Sequence, residues 1–168
     1  MPDQQTDNSE IIIRPVNKQD AGFINQLMNC PSILQILNEV PTVLQDWMDA
    51  INEWLHDDDE EDYIILEHNT PIGWIGINGL QSQDKTAYIK MAVLLPEYQK
   101  QGIGSFAIRS LMQNMKDRGI EKLLLYTDQD NFRAQKCYQK CDFRIAETLT
   151  ERMSNGKEIP RVLMEAIL

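Results

Sequence analysis

The chain has 168 residues, 42% of them hydrophobic and 25% charged, the length and proportions of one ordinary globular domain with a sizeable core. Wholesale disorder, collagen-like and disulfide-scaffold architectures are excluded, and no apolar run approaches the ~20 residues that span a bilayer. With 16 Lys and Arg against 26 Asp and Glu, the net charge is −10. Such a surface repels phosphate backbones and anionic lipid, so it argues against nucleic-acid and membrane partners and favours a cationic substrate.

In chain order, residues 1–10 (MPDQQTDNSE) are polar and acidic and read as a disordered lead-in, neither signal peptide nor basic transit peptide. A single domain is expected over 11–168. Ile11–Pro15 reads as a first strand. Phe23, Ile24, Leu27 and Met28 recur at helical spacing, which predicts a helix over about 17–29 that Cys30-Pro31 stops. Leu44, Trp47, Met48, Ile51, Trp54 and Leu55 mark the apolar face of a second helix, with Thr42 as its expected cap. The unbroken acidic run 57–62 opposes the negative end of that helix dipole, so the helix should stop near His56. The run is expected to be a solvated loop, with attraction for a polyamine or aminoglycoside as the functional alternative. Trp47 and Trp54 read as core or as substrate contacts.

Strands follow at 63–66, 72–80 and 86–95, the last nearly all apolar as suits a sheet centre. Gly102 and Gly104 open a third helix that carries Ile103, Phe106, Ala107, Leu111 and Met115 on one face and ends at Gly119. Lys122–Thr127 is a further buried strand, 131–141 a fourth helix, and 143–149 and 162–167 the closing strands, with a turn at Asn155-Gly156. The order β-α-α-β-β-β-α-β-α-β-β predicts a mixed α/β (α+β) domain. Three cysteines, Cys30, Cys137 and Cys141, form an odd and sparse set that suits a reducing cytoplasm. Cys137 and Cys141 match no zinc spacing with His56 or His68 and read as buried apolar residues; no metal is expected.

The chemistry concentrates where the 86–95 strand runs into the third helix, at Pro96-Glu97-Tyr98-Gln99-Lys100-Gln101-Gly102-Ile103-Gly104-Ser105. Unpaired N–H groups at a helix start favour anions, glycines let a phosphate come close to the backbone, and Lys100 adds a positive charge. The dinucleotide fingerprint and the P-loop both fail on context, the latter because no Gly-Lys-Ser/Thr follows.

Gln99-x-x-Gly102-x-Gly104 resembles the acetyl-CoA motif of the GNAT N-acetyltransferase superfamily. Asn131-x-x-Ala134-x-x-x-Tyr138-x-x-x-x-Phe143 resembles that family's second hallmark, and the element order over about 11–167 matches. The resemblance implies a GNAT fold: one mixed sheet of six to seven strands, flanked by about four helices and splayed between strands 4 and 5. It implies that acetyl-CoA lies in the splay, with Ala92, Val93 and Leu94 along its arm. The backbone of Lys100, Gln101, Gly102, Ile103, Gly104 and Ser105 would then hold the pyrophosphate beside Gln99, with Asn131 and Ala134 against the arm. Tyr138 is then the expected general acid. A free phenol (pKa ~10) gives its proton to a thiolate (pKa ~8.5) at an uphill cost of about 2 kcal/mol.

No base is assigned. The position where relatives often carry glutamate holds Tyr126, and the fourth strand offers only Lys90. Asp128 and Asp130 are expected to cap the fourth helix, with a water-mediated base as the alternative. Asp142 replaces the family's usual glycine, and aspartate tolerates the left-handed backbone that turn needs.

The resemblance is nearest to the ribosomal-protein N-terminal and polyamine acetyltransferase branch. The function expected is direct acetyl transfer from acetyl-CoA to a primary amine, on a small cationic molecule or a protein N-terminus. An aminoglycoside acceptor and a non-catalytic acyl-CoA sensor are the alternatives. A tRNA-acylating toxin of the same fold would need a basic face that this chain lacks. Dimers are frequent in the family, so a homodimer is one expected assembly.

Overall fold

A computed structural model describes residues 10–168, and the N-terminal lead-in up to residue 9 lies outside the described residues. The described elements are β1 (Ile11–Pro15), α1 (Ala21–Met28), α2 (Pro31–Leu37), α3 (Leu44–Trp54), β2 (Glu60–Glu67), β3 (Thr70–Asn78), β4 (Thr86–Leu94), α4 (Ile103–Asp117), β5 (Lys122–Asp128), α5 (Phe132–Lys140), β6 (Arg144–Arg152) and β7 (Glu158–Ile167). The strands form one seven-stranded sheet in the order β1-β2-β3-β4-β5-β7-β6. Only β4 and β5 pair in parallel, with α4 as the crossover between them; the other neighbours are antiparallel.

The period-2 alternation of β2 and β3 builds both layers. Tyr63, Ile65, Ile75 and Ile77 pack under α4 with Ala107, Leu111 and Met115. Ile64, Leu66 and Trp74 point the other way and pack under α1, α2 and α3 with Ile24, Leu27, Ile33 and Ile51. Strands buried on both faces read as continuous apolar runs, as β2 and β3 do. Beyond β5 the cover thins. The outermost strand, β6, is exposed along all but one of its residues.

Several expectations need correction. The 17–29 helix is split: residues 18–20 make a 3-10 turn and α1 begins at Ala21. Pro31 does end that stretch, but it also stands in the first turn of α2, a helix the sequence reading omitted. Proline suits that place because its missing N–H would be unpartnered there anyway. There are thus five α-helices among the described residues rather than about four. Thr42 is no cap. Val43 precedes α3 without a side-chain cap, while the Thr42 backbone exchanges hydrogen bonds with the Asn29 amide at 2.9 and 2.7 Å. Of the expected α3 face only Ile51 is fully buried, and Leu44, Met48 and Leu55 are exposed.

The acidic run is not one loop. Asp57–Asp59 form the turn, where the Asp59 carboxylate accepts from the N–H groups of Gly79 (3.1 Å) and Gln81 (2.7 Å). Glu60–Asp62 enter β2, and the Asp62 side chain is 1% exposed.

At the N-terminal edge, a capping box links Asn17 and Asp20, and Arg14 grips both Asp20 oxygens at 2.8 Å. Burial alone would push the Asp20 carboxyl up, but the Arg14 fork and the Asn17 N–H outweigh it and hold the carboxyl below its ordinary value. A carboxyl depressed in the folded state stabilises above its unfolded pKa, and that contribution is lost as pH falls through the folded value. Asp20→Asn is therefore expected to cost about 1–3 kcal/mol at pH 7 in urea titrations. The difference from the parent should shrink below about pH 4.

Candidate active site

The cleft begins where β4 leaves β5. The two strands pair from Thr86 opposite Lys122 to Ile89 opposite Leu125 and no further. On its other edge β4 stays joined to β3, but the register slips between Gly76/Met91 and Ile77/Ile89. Lys90 is the extra residue of a β-bulge, one position past the last β4–β5 pair. A bulge bends its strand, and here the bend carries Lys90–Leu94 away from β5. Along that edge their backbone groups face the gap with no partner strand.

The bulge has a buried polar anchor. The Lys90 ammonium lies 4.0 Å above the Trp54 ring and 5.6 Å from Trp74, bonded to Glu60 and 3.1 Å from Asp62 Oδ1. Trp74 Nε1 donates to the same oxygen at 2.7 Å. Burial pushes the Asp62 carboxyl up to about 7, against the Trp74 hydrogen bond, and the Lys90 ammonium down to about 8, against the pull of the Asp57 carboxylate. Gly76 makes room for this group, since a Cβ there would collide with Lys90 and come within 2.5 Å of Asp62.

The turn into α4 forms one end of the cleft. Lys100 (φ 64°) and Gly102 (φ 78°) adopt left-handed backbone, and α4 starts at Gly102 without a side-chain cap. The first-turn N–H groups are thus free for an anion. Gln99 donates to the Leu94 carbonyl at 3.0 Å and accepts from Arg133 at 2.9 Å, fixing the end of β4 to α5. Lys100, Arg133, Lys136 and Lys140 make this end basic. Gln101 is exposed and Ile103 buried, so neither side chain lines the cleft, whereas Gln99, Lys100, Gly102, Gly104 and Ser105 do.

α5 supplies the wall. The Asn131 side chain accepts from the Ala134 N–H at 3.2 Å and caps the helix, the role expected of Asp128 and Asp130. Ala134 and Tyr138 follow on the same side, and all three line the cleft opposite Ala92, Val93 and Leu94. Tyr138 packs 6.0 Å from Phe143, ring to ring. Its hydroxyl has no hydrogen-bond partner among the described residues, and burial, with the Cys137 and Cys141 thiols adding, pushes its pKa up. Asp142 takes the left-handed turn expected of it, at φ 67°. Cys137 and Cys141 both turn toward Ser105, at 3.4 and 3.5 Å.

The opposite end is lined by Leu37 and Glu39 after α2, by Tyr126 and Asp128 of β5, and by Glu151, Met153 and Arg161 of the β6–β7 hairpin. Burial lifts the Asp128 carboxyl, against the pull of Arg161 at 3.5 Å and of the Asn38 amide at 3.1 Å. Sequence reasoning missed Asn38, Glu39 and the apolar wall of α2. The available signal was the Cys30-Pro31 step read as a helix start.

The cleft measures about 800 Å³. It offers unpaired strand edges for an amide-bearing arm, an uncapped helix start with lysines for phosphates, and glycines where side chains would intrude. A Cβ on Gly102 meets open space, and one on Gly104 reaches toward Leu94 and Cys137. The residues present therefore fit acetyl-CoA, and the fold and cleft define an acyl-CoA-dependent transferase. The sequence model of the acetyltransferase (GNAT) family matches residues 30–143, and the chain belongs to that family, whose members take acetyl-CoA as donor.

Spermidine N(1)-acetyltransferase of Escherichia coli (strain K12) is 24% identical over 148 residues, covering 86% of this chain and 79% of that protein. N-alpha-acetyltransferase 30 of Schizosaccharomyces pombe is 30% identical over 77 residues, 46% of this chain and 51% of that one. The structure of spermidine N-acetyltransferase from Vibrio cholerae with CoA and spermine superposes with a TM-score of 0.85 at 21% identity, over 95% of this chain and 96% of that chain. RimL, a ribosomal L7/L12 alpha-N-protein acetyltransferase in complex with coenzyme A, gives 0.86 at 20% identity, over 95% of each chain. At these identities the two structures establish the shared fold.

Gly73 backs the β4 wall. An alanine Cβ would stand 2.5 Å from the Val93 carbonyl oxygen and 2.7 Å from Leu94 Cδ2. Gly73→Ala should cost about 1–3 kcal/mol in urea unfolding, since backbone cannot yield as a side-chain tip does. It should also weaken acetyl-CoA binding by calorimetry, because the displaced atoms border the cleft.

Proposed function

We propose that this acetyltransferase acetylates a primary amine on a small, polycationic molecule. The observation that carries the reading is the division of charge along one cleft. Lys100, Arg133, Lys136 and Lys140 gather at the glycine turn, while at the far end Glu39, Asp128 and Glu151 outnumber Arg161, which pairs with the last two. The basic end suits the phosphates of the donor. The acidic end suits a cationic acceptor, whose remote ammonium groups these carboxylates would hold. The relatives that act on spermidine support the same acceptor class. A protein N-terminus is the second reading, favoured by the apolar α2 wall of Ile33, Ile36 and Leu37. The chain's free thiols suit a cytoplasmic setting.

Acetyl-CoA supplies an activated acyl group. The strand-edge N–H groups of Ala92–Leu94 are proposed to pair with its arm and to polarise the acyl carbonyl. The backbone of Lys100–Ser105 would hold the phosphates, and Asn131 and Ala134 would flank the arm. Tyr138 holds a proton at its hydroxyl for the sulfur that departs. Burial raises the Tyr138 phenol, so it stays protonated and ready to donate across the neutral range.

Thiol release from acetyl-CoA, measured with spermidine, spermine, aminoglycosides and short peptides, tests both readings. The polyamines should turn over best. Tyr138→Phe should lower kcat by roughly 10²-fold while leaving acetyl-CoA affinity within a few fold. Undiminished turnover by that variant would remove Tyr138 from the proposal. Peptides outpacing polyamines would establish the second reading.

A further inference from the structure

We infer that Asn38 is the latch that sets the width of the acceptor end, so that the cleft admits slender amines and rejects bulky ones. This rests on the acceptor end being the acidic end proposed above. Asn38 follows α2 in left-handed backbone (φ 54°, ψ 39°). Glycine would adopt that conformation more cheaply, so the reason for asparagine lies in the side chain of this buried residue, 9% exposed as a whole. Each of its polar groups is engaged. The main-chain oxygen accepts from the Asn155 N–H and the Ser154 hydroxyl, both at 3.3 Å. The side-chain oxygen accepts from the Asn155 amide at 3.3 Å, and Nδ2 donates to Asp128 Oδ2 at 3.1 Å. Glu39 receives the Ser154 hydroxyl as well.

One residue thus ties the end of α2 to the β6–β7 turn and to the end of β5. Its neighbours in each element face the cleft: Leu37 at the end of α2 and Glu39 just beyond it, Met153 from the hairpin, Asp128 itself from the sheet. α2 and the hairpin are bonded to each other beside the acidic end, so breaking that link would let the two walls part and admit a branched or ring-bearing acceptor. Asn38 also fixes the orientation of Asp128, whose other oxygen faces Arg161. It is a positioning residue, since it does not itself line the cleft.

Asn38→Gly keeps the backbone conformation and deletes only the side-chain bonds. Two hydrogen bonds of ordinary strength translate into about a tenfold effect. The KM for spermidine should rise by that factor with a smaller change in kcat, and the preference for spermidine over a tripeptide with a bulky second residue should fall about as much. The acetyl-CoA dissociation constant should not move, which separates the latch from general loosening. Exchange of the Asn155 side-chain amide, whose acceptor oxygen the variant removes, should accelerate whatever the acceptor proves to be. If the parent acetylates no slender amine, the functional reading fails, and the Asn155 exchange still decides whether the latch exists. Adding Ser154→Ala should widen acceptance further. An unchanged preference in folded Asn38→Gly, or unchanged Asn155 exchange, overturns the inference.

Discussion

Everything in the site depends on two neighbouring strands parting company. A parallel ladder that ran the full length of β4 and β5 would satisfy its own backbone and leave no cleft. The pairing stops at Ile89 and Leu125, and the unspent hydrogen-bonding capacity of the next residues becomes a binding surface. Buried backbone groups without partners are costly, so the opening has to be held from behind. The Lys90 bulge holds it, with its ammonium set among Trp54, Trp74, Glu60 and Asp62. Gly73 and Gly76 let the β3 backbone approach closely enough for the arrangement to close.

Around that opening the charges are sorted although the surface as a whole is strongly acidic. Basic side chains gather where the α4 start already favours anions, so helix, lysines and arginine reinforce one another. The acidic end is built from three separate elements, and its Asp128 is constrained on both oxygens by Asn38 and Arg161.

What the sequence made legible follows the range of the interactions. The glycine turn, the Asn131 cap and the spacing to Tyr138 lie within single strand-to-helix transitions, where local composition dictates conformation. The presence of seven strands was readable from local patterns, but β2 and β7 begin earlier than expected and the exposed β6 runs on to Arg152. α2 was hidden because proline both ends one helix and begins the next. The acidic run misled because the burial of Asp62 is made tolerable by Trp74 and Lys90, which arrive from later strands. The bulge itself was visible only as a lysine in an apolar strand. Lys90 and Met91, adjacent in sequence, both pack toward the α1–α3 layer, a break of alternation that only pairing with β3 makes evident. The Asn38 contacts join residues 90 to 117 positions apart, beyond the reach of any local pattern.

The exposed outer strand β6 has a further consequence for how the molecule loosens. It is bonded to the rest of the sheet through β7 alone, and it buries almost nothing. Of its side-chain ties to β7, Arg152 with Glu158 is exposed on both sides and contributes little, while Arg144 with Glu165 and Glu151 with Arg161 are shielded only on the β7 side. Strands of this sort belong to the first units to open in native-state fluctuations, well below the free energy of global unfolding. β6 leads directly into the turn that bonds Asn38. The boundary of the acceptor end is therefore carried by an exposed edge of the sheet, while the β4 wall of the donor's cradle is backed by β3, whose central residues are buried. Fraying would relax the acceptor end while leaving the donor's seat intact.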